Sequence, residues 1–374
     1  MTRTNGPTRT NGPTNTNGRQ RAARQSDVAA LAGVSQSAVS RVISGDADSR
    51  IPEETRKRIL DAIATLGYVP NPIARNLRGK RTQLLGVHTF EALFPNARES
   101  FYFEFLLGIE ERAEETRHDL VLFSSTGDGA GARKIYRDET NRLTIADGSV
   151  LLGMSPDRDE LARLWHEGYP FVHIGRREVL GAPFPCIIPD YRRASAEIVR
   201  RLHDHGHRSF AFVRESIEGE PYEDRRDGYR AAVTELGIRD SSPGFLYDES
   251  GLSDAVIESF VDGSVTAAVV ESERIAETLR AELSARGLSI PGDVSVAVLE
   301  DTSGAGVRWD DLRIPRKEIG RIAVERLIEM VEDPDAPRES VLVACTVMAG
   351  ETIGAARSTV PGGTATGAHD GSAR

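Results

Sequence analysis

Residues 27–42, DVAALAGVSQSAVSRV, constrain this chain more tightly than any other stretch. Val28, Ala29, Leu31 and Ala32 recur at helical spacing and predict a short helix with one apolar face. Gly33 supplies a turn, because a residue without Cβ takes positive φ freely. Ser35 follows at an N-cap position, where its hydroxyl accepts from an orphan backbone N–H. Gln36 to Ile43 then form a second helix with Val39, Val42 and Ile43 inward and Gln36, Ser37, Ser40 and Arg41 outward. This is the layout of a helix-turn-helix whose second helix enters the DNA major groove. A helical hairpin buried in some larger core is the plainer alternative. The second helix argues against it, being short, Ser-rich and a weak helix former. Its outer face packs poorly but offers donors to phosphates and base edges.

The charge distribution agrees with that reading. The net charge of 374 residues is −10, which on its own disfavours a polyanion partner. Residues 1–81, however, carry 14 Lys/Arg against 6 Asp/Glu, and residues 82–374 carry 33 against 51. A basic head on an acidic body implies that the head alone meets nucleic acid. The length accommodates two or three domains. No apolar run reaches the roughly 18 residues needed to span a bilayer, and the N-terminal segment has no apolar signal core. The expected compartment is the cytoplasm, with no membrane partner. Cys186 and Cys345 lie far apart, without metal-ligand spacing, and suit a reducing environment.

Along the chain, residues 1–23 repeat a Thr-Asn-Gly-Pro theme and residues 356–374 are rich in Gly, Ala and Thr; both read as disordered tails. A third helix begins at Pro52, with Glu53 and Glu54 at its positive end, packs through Ile59, Ile63 and Leu66, and stops at Gly67. The head thus spans residues 24–70. Residues 71–82 form a hinge in which Asn71 and Pro72 start a short helix from Ile73 to Leu77. From 83 to 355 the body is α/β. Apolar strands at 84–87, 120–123, 148–152 and 171–174 precede a helix over 190–205. A second series has strands at 210–213, 267–270 and 294–299, with helices at 228–236 and 274–286. Such alternation means parallel sheets covered on both faces, and the two successive series suggest two similar lobes. Ligands in these folds bind beyond the carboxyl ends of the strands.

Taken in order, these segments resemble the LacI/GalR (lactose-repressor) family of bacterial transcription regulators. The resemblance covers residues 24–355. Its most specific pieces are the stretch already described, Leu66-Gly-Tyr-Val-Pro-Asn-Pro-Ile-Ala-Arg-Asn-Leu-Arg78, Gly206-His-Arg, Arg226-Asp-Gly-Tyr, Gly287-Leu-Ser-Ile-Pro-Gly-Asp-Val-Ser-Val and Leu312-Arg-Ile-Pro. It implies a homodimer on palindromic operator DNA, a repressor whose small effector, a carbohydrate, sits between two lobes like those of periplasmic binding proteins. Gln36, Ser37 and Arg41 match base-reading positions, and Ser35, Ala38 and Ser40 match backbone-contacting ones; Ala38 stands where Thr is usual. Leu77 matches the hinge leucine that wedges into the minor groove, with Asn71, Ala74 and Arg78 beside it. For the effector, Asp190, Arg226 and Glu300 match polar cleft positions, Phe101 or Tyr102 would stack on a sugar face, and Arg176 lies at the rim. Several residues depart from the pattern. Glu300 replaces Asp, Ser272-Glu273 replaces Asn-Asp, Leu252 stands near a position often aromatic, and Gly175 precedes Arg176 where Asp is common.

Other chemistries find less support. His203 and His207 have i,i+4 spacing but no clear acidic or cysteine partner, and Gly206 is expected to end their helix. Residues 127–132 (GDGAGA) lack the spacing of a phosphate loop, and no Gly-x-Ser-x-Gly elbow is present. The chain is therefore not expected to be an enzyme or to need a cofactor. A solute-binding protein without DNA function would explain the body but not the basic head.

Overall fold

The computed structural model describes residues 23–43, 51–68, 81–91, 99–124, 133–154, 157–240, 245–248, 251–304 and 306–357. The chain divides between Thr82 and Gln83 into two compact units. The first holds helices α1 (Gln25–Ala32), α2 (Gln36–Ile43) and α3 (Glu53–Leu66). Their ends follow from local chemistry. The Arg24 N–H donates to the Asp27 carboxylate (2.8 Å), closing a box at the start of α1. Gly33 and Gly67 stop α1 and α3 at φ of 65° and 59°, a region that costs a side chain strain. Ser35 Oγ accepts from the Ala38 N–H (3.2 Å) and caps α2.

Val28, Ala29, Ala32, Val39, Val42, Ile59 and Ala62 form the buried core of this unit. Leu31 corrects the expected apolar face, since it is 53% exposed and stands outside the packing stripe. Ile63 and Leu66 pack at the rim, and Pro52 sits just outside α3 as its cap residue.

In the second unit, β1 (Leu84–Thr89), β2 (Asp119–Phe123), β3 (Gly148–Leu152), β4 (Phe171–Ile174) and β5 (Cys186–Pro189) enter one sheet. The other contains β6 (Ser209–Glu215), β7 (Phe245–Asp248), β8 (Ala267–Val270) and β9 (Ser295–Val298). A later strand, β10 (Val341–Val343), returns to the first sheet, whose order is β10-β5-β4-β3-β1-β2, all parallel. In the second sheet β7, β6, β8 and β9 are neighbours in that order, again parallel. Separate apolar clusters cover both faces of each sheet, which is why the strands read as continuous apolar runs.

Helices α4 (Glu99–Glu115), α5 (Arg158–His166), α6 (Tyr191–Asp204), α7 (Glu220–Glu235), α8 (Asp254–Val261), α9 (Glu273–Ala285) and α10 (Arg316–Glu332) complete the lobes. The lobes are not two successive stretches of chain as expected. Helix α10 and β10 pack into the first lobe, and the chain crosses between lobes near 190, 313 and 344. Two helix contacts depend on glycine. A Cβ on Gly108 of α4 would lie 1.9 Å from the Lys317 carbonyl of α10, and one on Gly228 of α7 would lie 2.2 Å from the Arg192 carbonyl of α6. Only bare backbone permits those approaches.

Candidate functional site

In the first unit, Ser35, Gln36, Ser37 and Arg41 are exposed and Ser40 is half-buried, while Val39 and Val42 of the same helix are buried. Amphipathicity thus turns the polar side of α2 outward. Ser35 and Ser37 exchange a hydroxyl hydrogen bond (2.9 Å), which pre-orients both at the helix start. Asn71, Ala74, Leu77 and Arg78, the residues expected in the hinge, lie outside the described residues.

Within the second unit a cleft of about 720 Å³ lies beyond the carboxyl ends of the strands. Phe101, Tyr102, Glu104 and Met154 line it from the first lobe, and Tyr191, Glu215, Tyr222, Arg225, Glu271 and Glu300 line it with Glu273, Arg274, Asp301 and Arg316. Glu215 ends β6, Glu271 follows β8, and Glu300 follows β9, so three neighbouring strands each deliver a carboxylate to the floor. Arg225 is 6% exposed; its Nε donates to the Leu299 carbonyl (2.8 Å) and its guanidinium lies 4.0 Å over the Tyr191 ring.

Glu215 accepts from Ser272 Oγ (2.9 Å) and pairs with Arg274 (2.9 Å). Arg316 pairs with Asp301 and stands 4.8 Å over Phe101, fixing that ring at the mouth. Burial pushes the Glu271 carboxyl up to about 7, and raises that of Glu300. This floor of acceptors, with the buried guanidiniums of Arg225 and Arg316 and aromatic walls, suits a ligand rich in hydrogen-bond donors.

The sequence-predicted residues divide. Phe101, Tyr102 and Glu300 line the cleft, and the Tyr102 hydroxyl is bound to the Glu91 carboxylate. Arg226 does not line it. Consecutive helical residues point about 100° apart, so Arg225 faces the cleft while Arg226 pairs with Glu218 (3.0 Å). Asp190 caps α6, accepting from the Arg193 N–H (3.1 Å), and likewise lies off the lining.

Arg176 lines a small apolar pocket beside the cleft. Its guanidinium is engaged by Asp224, Glu223 and Glu178, so it ties the first lobe to α7. Ser272 and Glu273 cap and brace rather than stand free: Ser272 Oγ accepts from the Ile275 N–H and Glu273 binds Ser303. His207 is structural. Its ring nitrogens are bound to Thr266 Oγ1 (2.8 Å) and the Gly354 carbonyl (3.1 Å), after a turn at Gly206 with φ of 92°. Sequence reasoning missed Arg225, Glu215 and Glu271; for the two glutamates the polar residue at the end of an apolar strand was the available signal, whereas Arg225 lies within α7 and had none.

Comparison with known proteins places this arrangement. Residues 26–71 match the bacterial regulatory proteins of the lacI family, and residues 199–353 match a periplasmic binding protein-like domain. The chain is 30% identical to the catabolite control protein A of Priestia megaterium over 313 residues, which are 80% of this chain and 90% of that protein. The chain belongs to the LacI family. As a member it is a DNA-binding transcriptional regulator under ligand control.

Among solved structures, the transcriptional regulator CelR–cellobiose complex is 25% identical, with a TM-score of 0.56 over 88% of this chain and 99% of that one. The lac repressor dimer bound to operator and the anti-inducer ONPF shares the fold, with 21% identity and a TM-score of 0.65 over 90% of this chain and all of that one. No described helix is long and apolar enough to cross a membrane.

Proposed function

We propose that this LacI-family member is a homodimeric repressor that reads a palindromic operator and is released or recruited by a hydroxylated ligand, a sugar or derivative, in the cleft of the second unit. The observation that carries the reading is the pairing of an outward polar face on α2 with a donor-seeking cleft at the carboxyl ends of two parallel sheets. In this reading Arg41 forks onto guanine O6 and N7, Gln36 and Ser37 meet neighbouring base edges, and Ser35 and Ser40 hold phosphates. Residues 24–70 are the head, and residues 71–82 form a hinge in which Leu77 enters the minor groove with Asn71, Ala74 and Arg78 alongside. Residues 83–355 are the ligand-binding and dimerising body, between terminal tails. The cell compartment is the cytoplasm, where the DNA is.

Relatives support the ligand class: the comparison structures include a cellobiose complex and a ribose-bound regulator. Exposed Phe103, Leu120 and Leu122 on the first lobe support a surface that a second copy covers. Control follows from linkage. Ion pairs such as Arg176–Asp224 (3.0 Å) and Arg158–Glu220 (2.8 Å) join the lobes, so a ligand bound between the lobes acts on the contacts that hold them together. Ligand and operator must then change each other's affinity by one shared factor.

The test is selection of bound sequences from random duplex DNA at stated salt, using the full-length protein. The expected result is a two-fold symmetric site with a deformable central step. Binding that ignores sequence and only falls with salt would refute the reading.

A further inference from the structure

The carboxylates of the cleft are unequally compensated. Of the lining residues, six are acidic and three are arginines. Arg316 is taken up by Asp301, and Arg274 by Glu215. Arg225 spends its Nε on a backbone carbonyl and its face on Tyr191. Glu271 and Glu300 have no salt-bridge partner among the described residues. Among the described residues, Glu300 accepts a hydrogen bond from the Glu273 N–H alone (2.8 Å). Glu271 is 3% exposed and lines the cleft; one carboxyl oxygen accepts from the Glu215 N–H (3.0 Å), and the other has no partner. A buried carboxyl oxygen left unmatched is costly unless something completes it.

Three ligand chemistries meet this floor differently. A phosphorylated sugar would bring negative charge into a lining that has six acidic residues against three arginines, which opposes their ionisation. A neutral sugar would supply donors but no charge, and each of its hydroxyls also presents an acceptor to an acceptor surface. Arg225 acts on both carboxyls without an ion-pair contact, and a protonated amine supplies up to three donors and a directly contacting charge together, as a charge-assisted contact. We propose that the cleft selects a ligand bearing a cationic nitrogen on a hydroxylated frame, an amino sugar or iminosugar in chemical class, with Glu271 and Glu300 as its counter-charges and Phe101 against its ring. The inference rests on the cleft being the effector site. It adds the charge of the effector and assigns Glu271, a residue with no part in the sequence-derived site.

The test is calorimetric titration of the full-length protein with D-glucosamine, D-galactosamine, D-mannosamine and 1-deoxynojirimycin. Each is compared with its neutral parent, and glucose 6-phosphate is the anionic control. At least one amine is expected to bind tenfold or more tighter than its parent. Glu271→Gln should bring that ratio near one, and Glu300→Gln, measured separately in case the first variant does not fold, should lower it. Failure of every amine to bind at millimolar concentration overturns the inference, as does tighter binding of a parent or of the phosphate, or a ratio unmoved in both variants. Operator affinity is measured with the same compounds. A neutral sugar that binds more tightly than its amine and shifts it leaves the regulatory reading standing while removing this inference. No shift with any compound removes both.

Discussion

Glu271 should make the stability of this protein depend on pH in a way that one substitution abolishes. Its carboxyl is raised from 4.5 to about 7, chiefly by burial, with the Glu215 N–H, Arg225, Arg226 and Arg214 acting in the opposite sense. The folded chain therefore holds this proton more tightly than the unfolded chain. The associated stabilisation is complete below pH 4.5 and is lost as pH rises through about 7. One pK unit is about 1.4 kcal/mol, so the contribution falls by roughly 2–3 kcal/mol between pH 5 and pH 8.

Glu271→Gln keeps an oxygen for the Glu215 N–H but cannot ionise. Its stability relative to the parent should accordingly rise with pH by roughly those 2–3 kcal/mol. Any fixed cost of the buried amide shifts the whole difference and leaves the slope intact. Urea titrations of both proteins from pH 5 to 8, at one protein concentration and one salt, give the difference curve. A flat curve would show that Glu271 does not change its proton over this range. An ionised, well-compensated carboxylate would give that flat curve, because its titration would lie below this pH range, against the burial described here.

Other expectations concern the head and the helix crossings. Arg41→Ala should cost about 1–3 kcal/mol of base discrimination at one symmetric pair of operator positions and leave the others unchanged, as read by repeating the selection on random DNA. Ile59→Ala removes a fully buried side chain from a small core and should cost about 2–5 kcal/mol, abolishing DNA binding while calorimetry still shows the transition of the ligand-binding unit. Arg225→Ala should remove ligand affinity with DNA affinity retained, whereas Arg226→Ala should alter neither by more than a few fold; equal losses would contradict the placement of the two side chains. Gly228→Ala must part α6 from α7 and should lower stability by about 1–3 kcal/mol in thermal melts.

What the sequence by itself determined is mostly local. The cap at Ser35, the stops at Gly33 and Gly67, and the strands at 148–152, 171–174 and 267–270 are encoded by neighbouring residues, through backbone donors, φ freedom and burial on both faces. The polar side of α2 was legible for the same reason, because helical periodicity alone separates Val39 and Val42 from Gln36, Ser37 and Arg41.

Tertiary structure decided the rest. Whether Arg225 or Arg226 enters the cleft depends on how α7 is rolled against α6, which the bare backbone at Gly228 sets. Glu271 reads in sequence as an ordinary polar residue after an apolar strand. Only the adjacency of β6, β8 and β9 brings it beside Glu215 and Glu300 in a buried floor. The return of α10 and β10 to the first lobe was equally invisible, since nothing near residues 316–343 specifies which sheet edge they cover. Periodicity reports which way a side chain faces its own element, whereas a site is made by which elements face one another.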